Sequence, residues 1–183
     1  MCVVLFSVKL ERKNCMWKVF KQEILTKLMM VLAIVVTTGA LLNYADAKGY
    51  PNEPNGFGEL YWGESLSEIQ GSHQCQYYTT VNGFDTYVVK VKEAGGDMTM
   101  RGPVVVAASF KNNRLHHIAI PLNGNYSEMI QPMTSLYGNP DKGNRLVMSW
   151  EGEKTDMILN ILKPEKNVGV IMLYNAKAKQ NVR

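Results

Sequence analysis

Residues 103–122, "PVVVAASFKNNRLHHIAIPL", decide how this chain folds. Two apolar runs flank Asn112-Asn113, a pair suited to the positive φ values of a two-residue hairpin turn. The stretch therefore reads as two antiparallel strands. With that turn, Phe110 faces Leu115, Ala108 faces His117 and Val106 faces Ala119. On the other face Ser109 pairs with His116, Ala107 with Ile118 and Val105 with Ile120. Both faces are largely apolar, so the hairpin belongs inside a sheet or is covered on both sides. Neighbouring strand residues point to opposite faces. His116 and His117 are thus expected on different sides, as partly buried sheet histidines and not as joint ligands of one metal.

Working outward, "DTYVVKVK" alternates, with Tyr87, Val89 and Val91 on one face and Thr86, Val88, Lys90 and Lys92 on the other. "EAGGD", ending at Asp97, is a turn. On the other side, "NGNYSEMIQPMTSLYGNPD" places Tyr126, Met129, Ile130, Met133, Leu136 and Tyr137 on one helical stripe. Asn125 and Glu128 have capping-box spacing, Gly138 and Pro140 end the helix, and Pro132 predicts a kink or a delayed start. "RLVMSW", "TDMILNILK" and "VGVIMLY" follow as strands, and 176–183 reads as a frayed tail. Near the start, "GFGELYWGESLSEIQG" gives a short strand and then a short helix. Ser65 and Glu68 make its capping box, Gly71 its exit, and Leu66 with Ile69 must hold it by packing. The fold class is α+β: a curved antiparallel sheet of about seven strands with two helices packed on one face. A capped helix followed by an antiparallel meander occurs twice, a faint sign of internal duplication.

Residues 1–47 read as a signal peptide. Lys18, Lys21 and Lys27 precede the uncharged run "LMMVLAIVVTTGALL", and Ala45 and Ala47 supply a small-x-small cleavage site. The apolar run is shorter than the roughly 20 residues that span a bilayer. Counting from Met16 gives a leader of more usual length than counting from Met1, so residues 1–15 are the part in question as an overcalled start. Residues 48–56 have a linker composition, and 57–175 form a single domain. The leader carries six basic and three acidic residues, leaving 14 and 13 in the rest of the chain. That near balance removes the electrostatic case for nucleic acid or an anionic membrane as partner. Cys75 is the one cysteine beyond the leader, so an internal disulfide is not available.

Familiar chemistries are sparse. His73 and Cys75 share a face if extended, yet further ligands at metal-site spacing are missing. No G-x-S-x-G, phosphate loop or dinucleotide fingerprint occurs. Asp97, Glu151 and Glu153 fall in expected turns. Asp156 and Asn160 share one face of "TDMILNILK" with Ile158 and Leu162; an edge or solvent-facing position accounts for them better than a groove does. Catalytic and metal residues are assigned to none, no cofactor is indicated, and the binding residues are left open.

"GFGELYWGESLSEI", "SFKNNRL" and "MTSLYGNPD" before "MSWEGEKTDMILNI" resemble a loose family of small uncharacterised exported bacterial domains. These open with a Trp-Gly step before a short helix and carry Tyr-Gly-x-Pro after a second one. More remotely the chain is similar to small outer-membrane assembly lipoproteins of the BamE-like kind, from which it departs in lacking a lipobox cysteine and in having more strands. The resemblance implies a periplasmic α+β module and carries over no catalytic residue. Three functions follow as expectations. The first is a non-enzymatic periplasmic or secreted module binding an envelope protein or a small apolar ligand. The second is a hydrolase-like enzyme with dispersed site residues, and the third a structural subunit that dimerises.

Overall fold

The computed structural model describes residues 49–92, 102–123, 126–164 and 168–180. They fall within one compact unit, residues 43–183. The leader with its cleavage site, the "EAGGD" turn with Asp97, and Asn125 lie outside the described residues.

Among the described residues the first elements are a two-stranded ladder of β1 (Gly56–Phe57) and β2 (Leu60–Tyr61), followed by helix α1 (Leu66–Ser72). Four strands come next: β3 (Gln74–Val81), β4 (Phe84–Val91), β5 (Val104–Lys111) and β6 (Arg114–Asn123). Helix α2 (Tyr126–Tyr137) leads to β7 (Lys142–Gly143), β8 (Val147–Trp150), β9 (Thr155–Lys163), β10 (Val168–Asn175) and helix α3 (Ala176–Gln180). The large sheet is antiparallel, in the order β3-β4-β5-β6-β10-β9-β8-β7. The class is α+β as expected, but the sheet has eight strands where about seven were predicted. The additional strand, β7, is two residues long, too short for any alternation to mark it. Residues 176–180, predicted as frayed tail, are helical: Ala176 N donates to the Lys154 carbonyl at 2.9 Å.

Local chemistry accounts for the helix ends except the exit of α1, where Gly71 is still helical and the cap is His73 in extended backbone. The Ser65 hydroxyl accepts from Glu68 N, and Glu68 Oε2 accepts from Ser65 N at 2.7 Å, the predicted capping box. Ile69 is buried and Leu66 packs against the core cluster, so these two side chains hold the seven-residue helix, as expected. Helix α2 runs through Pro132 from Tyr126, so its start is not delayed. Met133 and Tyr137 enter the core, and Gly138 leaves the helix at φ +81°.

The core cluster joins Val89, Val106, Ala108, Phe110, Leu115, Ile118, Ile120, Leu159, Ile171 and Leu173 to Ile69, Met133 and Trp150. By alternation, the opposite sheet face carries Ala107, Ala119, Val170, Met172 and Ile158, each no more than 8% exposed. Both faces of the central strands are therefore apolar and buried, as the hairpin's composition implies.

Residues 49–56, with the composition of a linker, are fastened instead. Glu53 Oε1 accepts from Lys154 N and, at 2.6 Å, from Thr155 N. Asn52 Nδ2 donates to the Leu136 carbonyl at 2.7 Å, and Thr155 Oγ1 to the Pro54 carbonyl at 2.6 Å. Trp62 Nε1 donates to Thr155 Oγ1, also at 2.6 Å, tying the Trp-Gly step to β9. The segment is a strap bound through side chains that composition alone reads as polar filler.

Candidate functional site

The turn of the β5–β6 hairpin forms as the sequence predicts: Asn112 and Asn113 have φ of 50° and 60°. The register beyond it does not. Phe110 pairs with Leu115, as expected, but Ser109 then pairs with His117, Ala108 with Ile118 and Ala107 with Ala119. His116 is an extra residue on β6, a β-bulge. The reason is the apolar phase of the strand. Leu115 and Ile118 are three apart and both belong to the core cluster, which strict alternation forbids and one inserted residue allows.

The bulge corrects the expectation that the two histidines oppose each other. Both rings lie against Phe84, His117 stacked at 4.6 Å between centroids and His116 edge-on at 5.8 Å. The two imidazoles are 6.2 Å apart. Tyr174 of β10 meets His117 edge-on at 4.8 Å, and Lys111 Nζ sits 5.4 Å over the Phe84 ring, within cation–π range. Burial, and then the Lys111 charge, hold His116 below the ordinary histidine range, so it is a neutral imidazole at neutral pH.

The register also aligns a transverse row, Thr86–Ser109–His117–Tyr174–Asp156, across five adjacent strands. It contains a serine, a histidine and an aspartate, but the order matters. The backbones of β6 and β9 stand two strand spacings apart, about 9.5 Å, with Tyr174 between His117 and Asp156. Ser109 Oγ is 2.9 Å from Thr86 Oγ1 on the side away from the aspartate. This is a polar row across a sheet and lacks the geometry of a nucleophile–base–orienter triad.

Asp156 and Asn160 correct a second expectation. Strand β9 lies between β10 and β8, and these side chains are 6% and 9% exposed, so neither an edge nor a solvent-facing position applies. Asp156 Oδ1 accepts from Gly152 N at 3.1 Å, shaping the β8–β9 turn.

His73 is buried at the end of α1, its Nδ1 3.7 Å from Glu59 Oε2. Cys75 packs against the core, and burial pushes its thiol pKa up, away from reactivity. Glu151 pairs with Lys142 at 2.6 Å, and Glu153 is exposed. Among the described residues no group of three His, Cys, Asp or Glu could hold a metal ion, and no helix is long and apolar enough to cross a membrane.

Where β5, β6 and β10 reach the hairpin turn, a cleft of about 370 Å³ opens. Lys111, Asn112, Arg114, His116, Asn175 and Lys177 line it. The sequence signal for this site was the slip in apolar phase at "LHHI", which strict alternation from the turn conceals. Comparison with known proteins finds no matching family model, no matching curated protein and no matching solved structure.

Proposed function

We propose that the chain is an exported, non-catalytic binding module of the bacterial envelope, periplasmic or secreted, which holds its ligand in the cleft beside the β5–β6 turn. The observation that carries this reading is the bulge. It brings His116 into the cleft wall with Lys111 and Arg114, while His117 and Phe84 stack behind it. A volume of about 370 Å³ lies in the range of small-molecule sites. Among the described residues lining the cleft there is no hydroxyl, thiol or carboxylate, which favours binding over a hydrolase-like activity. The charged leader, its apolar run and the Ala-x-Ala step support export.

The recurrence of a helix followed by a four-strand meander supports an internal duplication, with both helices on one face of a curved sheet. One observation favours the dimerising subunit as a second reading. The edge strand β3, "QCQYYTTV", has eight residues without a charged side chain, and its Tyr77 is 54% exposed.

Native mass spectrometry of the protein recovered from producing cells tests the first reading. The expected spectrum is a monomer carrying a small-molecule mass that the Lys111→Gln/Lys177→Gln variant does not retain. A ligand-free dimer disrupted by a charge placed on β3 would instead support the second.

A further inference from the structure

Resting on that reading of the cleft, we infer that its ligand is a small organic anion bearing a phosphate or carboxylate group, held by Lys111, Arg114 and Lys177. The three cations come from three elements, β5, β6 and α3, and line one cleft. Among the described residues Lys142 is paired with Glu151, and none of the three cleft cations is so paired. Outside the leader the chain is nearly neutral, with 14 basic and 13 acidic residues, so the concentration is local. Gathering like charges is unfavourable by Coulomb's law, and an anion bound among them relieves it.

Two of the cations are positioned in advance. Arg114 Nη1 donates to the Gly63 carbonyl at 2.9 Å, which fixes the guanidinium and leaves donors of its fork for a ligand. Lys111 is held over Phe84. The Glu68 carboxylate, whose Oε2 accepts from the Ser65 backbone and hydroxyl at 2.7 Å each, feels the Arg114 charge but does not line the cleft. Asn112 and Asn175 add amides, and His116 adds an imidazole that both donates and accepts. Oriented donors around a cationic centre suit an oxyanion. The cleft volume leaves room for the organic part that carries it.

Isothermal titration of the purified full chain with phenyl phosphate, benzoate, inorganic phosphate and benzyl alcohol tests the assignment. Phenyl phosphate or benzoate is expected to bind, more tightly than inorganic phosphate, and benzyl alcohol is expected to give no binding heat. Lys111→Gln and Lys177→Gln should each weaken binding about tenfold. Lys142→Gln, which removes a cation from the far edge of the sheet, should leave it unchanged. Circular dichroism establishes that each variant is folded.

Equal weakening by Lys142→Gln, or no binding of either anionic ring compound, overturns the inference. Benzyl alcohol binding as tightly as phenyl phosphate overturns it too, while the binding-module reading stands. Steady hydrolysis of phenyl phosphate, lost in Lys111→Gln, has the opposite result: it supports the anion site and overturns the non-catalytic reading.

Discussion

Trp150→Ala lowers the unfolding free energy by about 4 kcal/mol, the largest loss expected from a single side chain in this domain. Trp150 is 1% exposed and belongs to the core cluster that also contains Met133 and Tyr137 of α2. Its indole Nε1 donates to the Gly138 carbonyl at 2.9 Å. Gly138 leaves α2 at φ +81°, its own N–H returned to the Thr134 carbonyl, so the indole holds the end of the helix against β8. Truncation opens a cavity and leaves that carbonyl without its donor. Trp150→Phe keeps most of the packing and is expected to cost about 2 kcal/mol less than the alanine variant. Urea unfolding measures both. Equal losses for the two variants would contradict the packing account.

Glu53→Ala should cost about 3 kcal/mol, although the residue lies in a segment whose composition resembles a linker. One carboxylate oxygen accepts from the backbone N–H groups of Lys154 and Thr155, at the start of an interior strand. Hydrogen bonds to an ionised group are stronger than neutral ones, and removing the acceptor orphans two donors at once. Gly152 reports on the same contact from the opposite side. A Cβ there would collide with Glu53 Oε1 and with the Thr155 carbonyl oxygen. Gly152→Ala is therefore expected to match or exceed the cost of Glu53→Ala. The double variant should lose clearly less than the sum, because both changes break one strap. Additive losses would show that Glu53 and Gly152 act independently.

Much of the architecture was legible because local and global preferences agree. Asn112-Asn113 specifies its turn, Ser65 and Glu68 specify their cap, and the stripe ending at Tyr137 specifies α2. Three features were not legible, each for a physical reason. Strand β7 spans two residues and has no periodicity to detect. The strap depends on Glu53 meeting backbone donors 101 and 102 residues away, which no local pattern records. Asp156 and Asn160 look like surface residues on β9, because a buried polar group is distinguished from an exposed one only by its tertiary partners.

The bulge is the instructive case. Counting outward from the Asn112-Asn113 turn gives one register, whereas the spacing of Leu115, Ile118, Ile120 and Leu122 requires another. The second wins because burying the apolar set on the core face outweighs one interrupted ladder position. The cleft follows from that choice, since strict alternation would have put the histidines on opposite sides of the sheet.

Nuclear Overhauser measurements on the β5–β6 hairpin test this most directly. The account predicts cross-strand contacts between Ser109 and His117, and contacts from both imidazole rings to the ring of Phe84. Pairing of Ala108 with His117, with only one imidazole near Phe84, would contradict the bulge and remove the cleft built upon it.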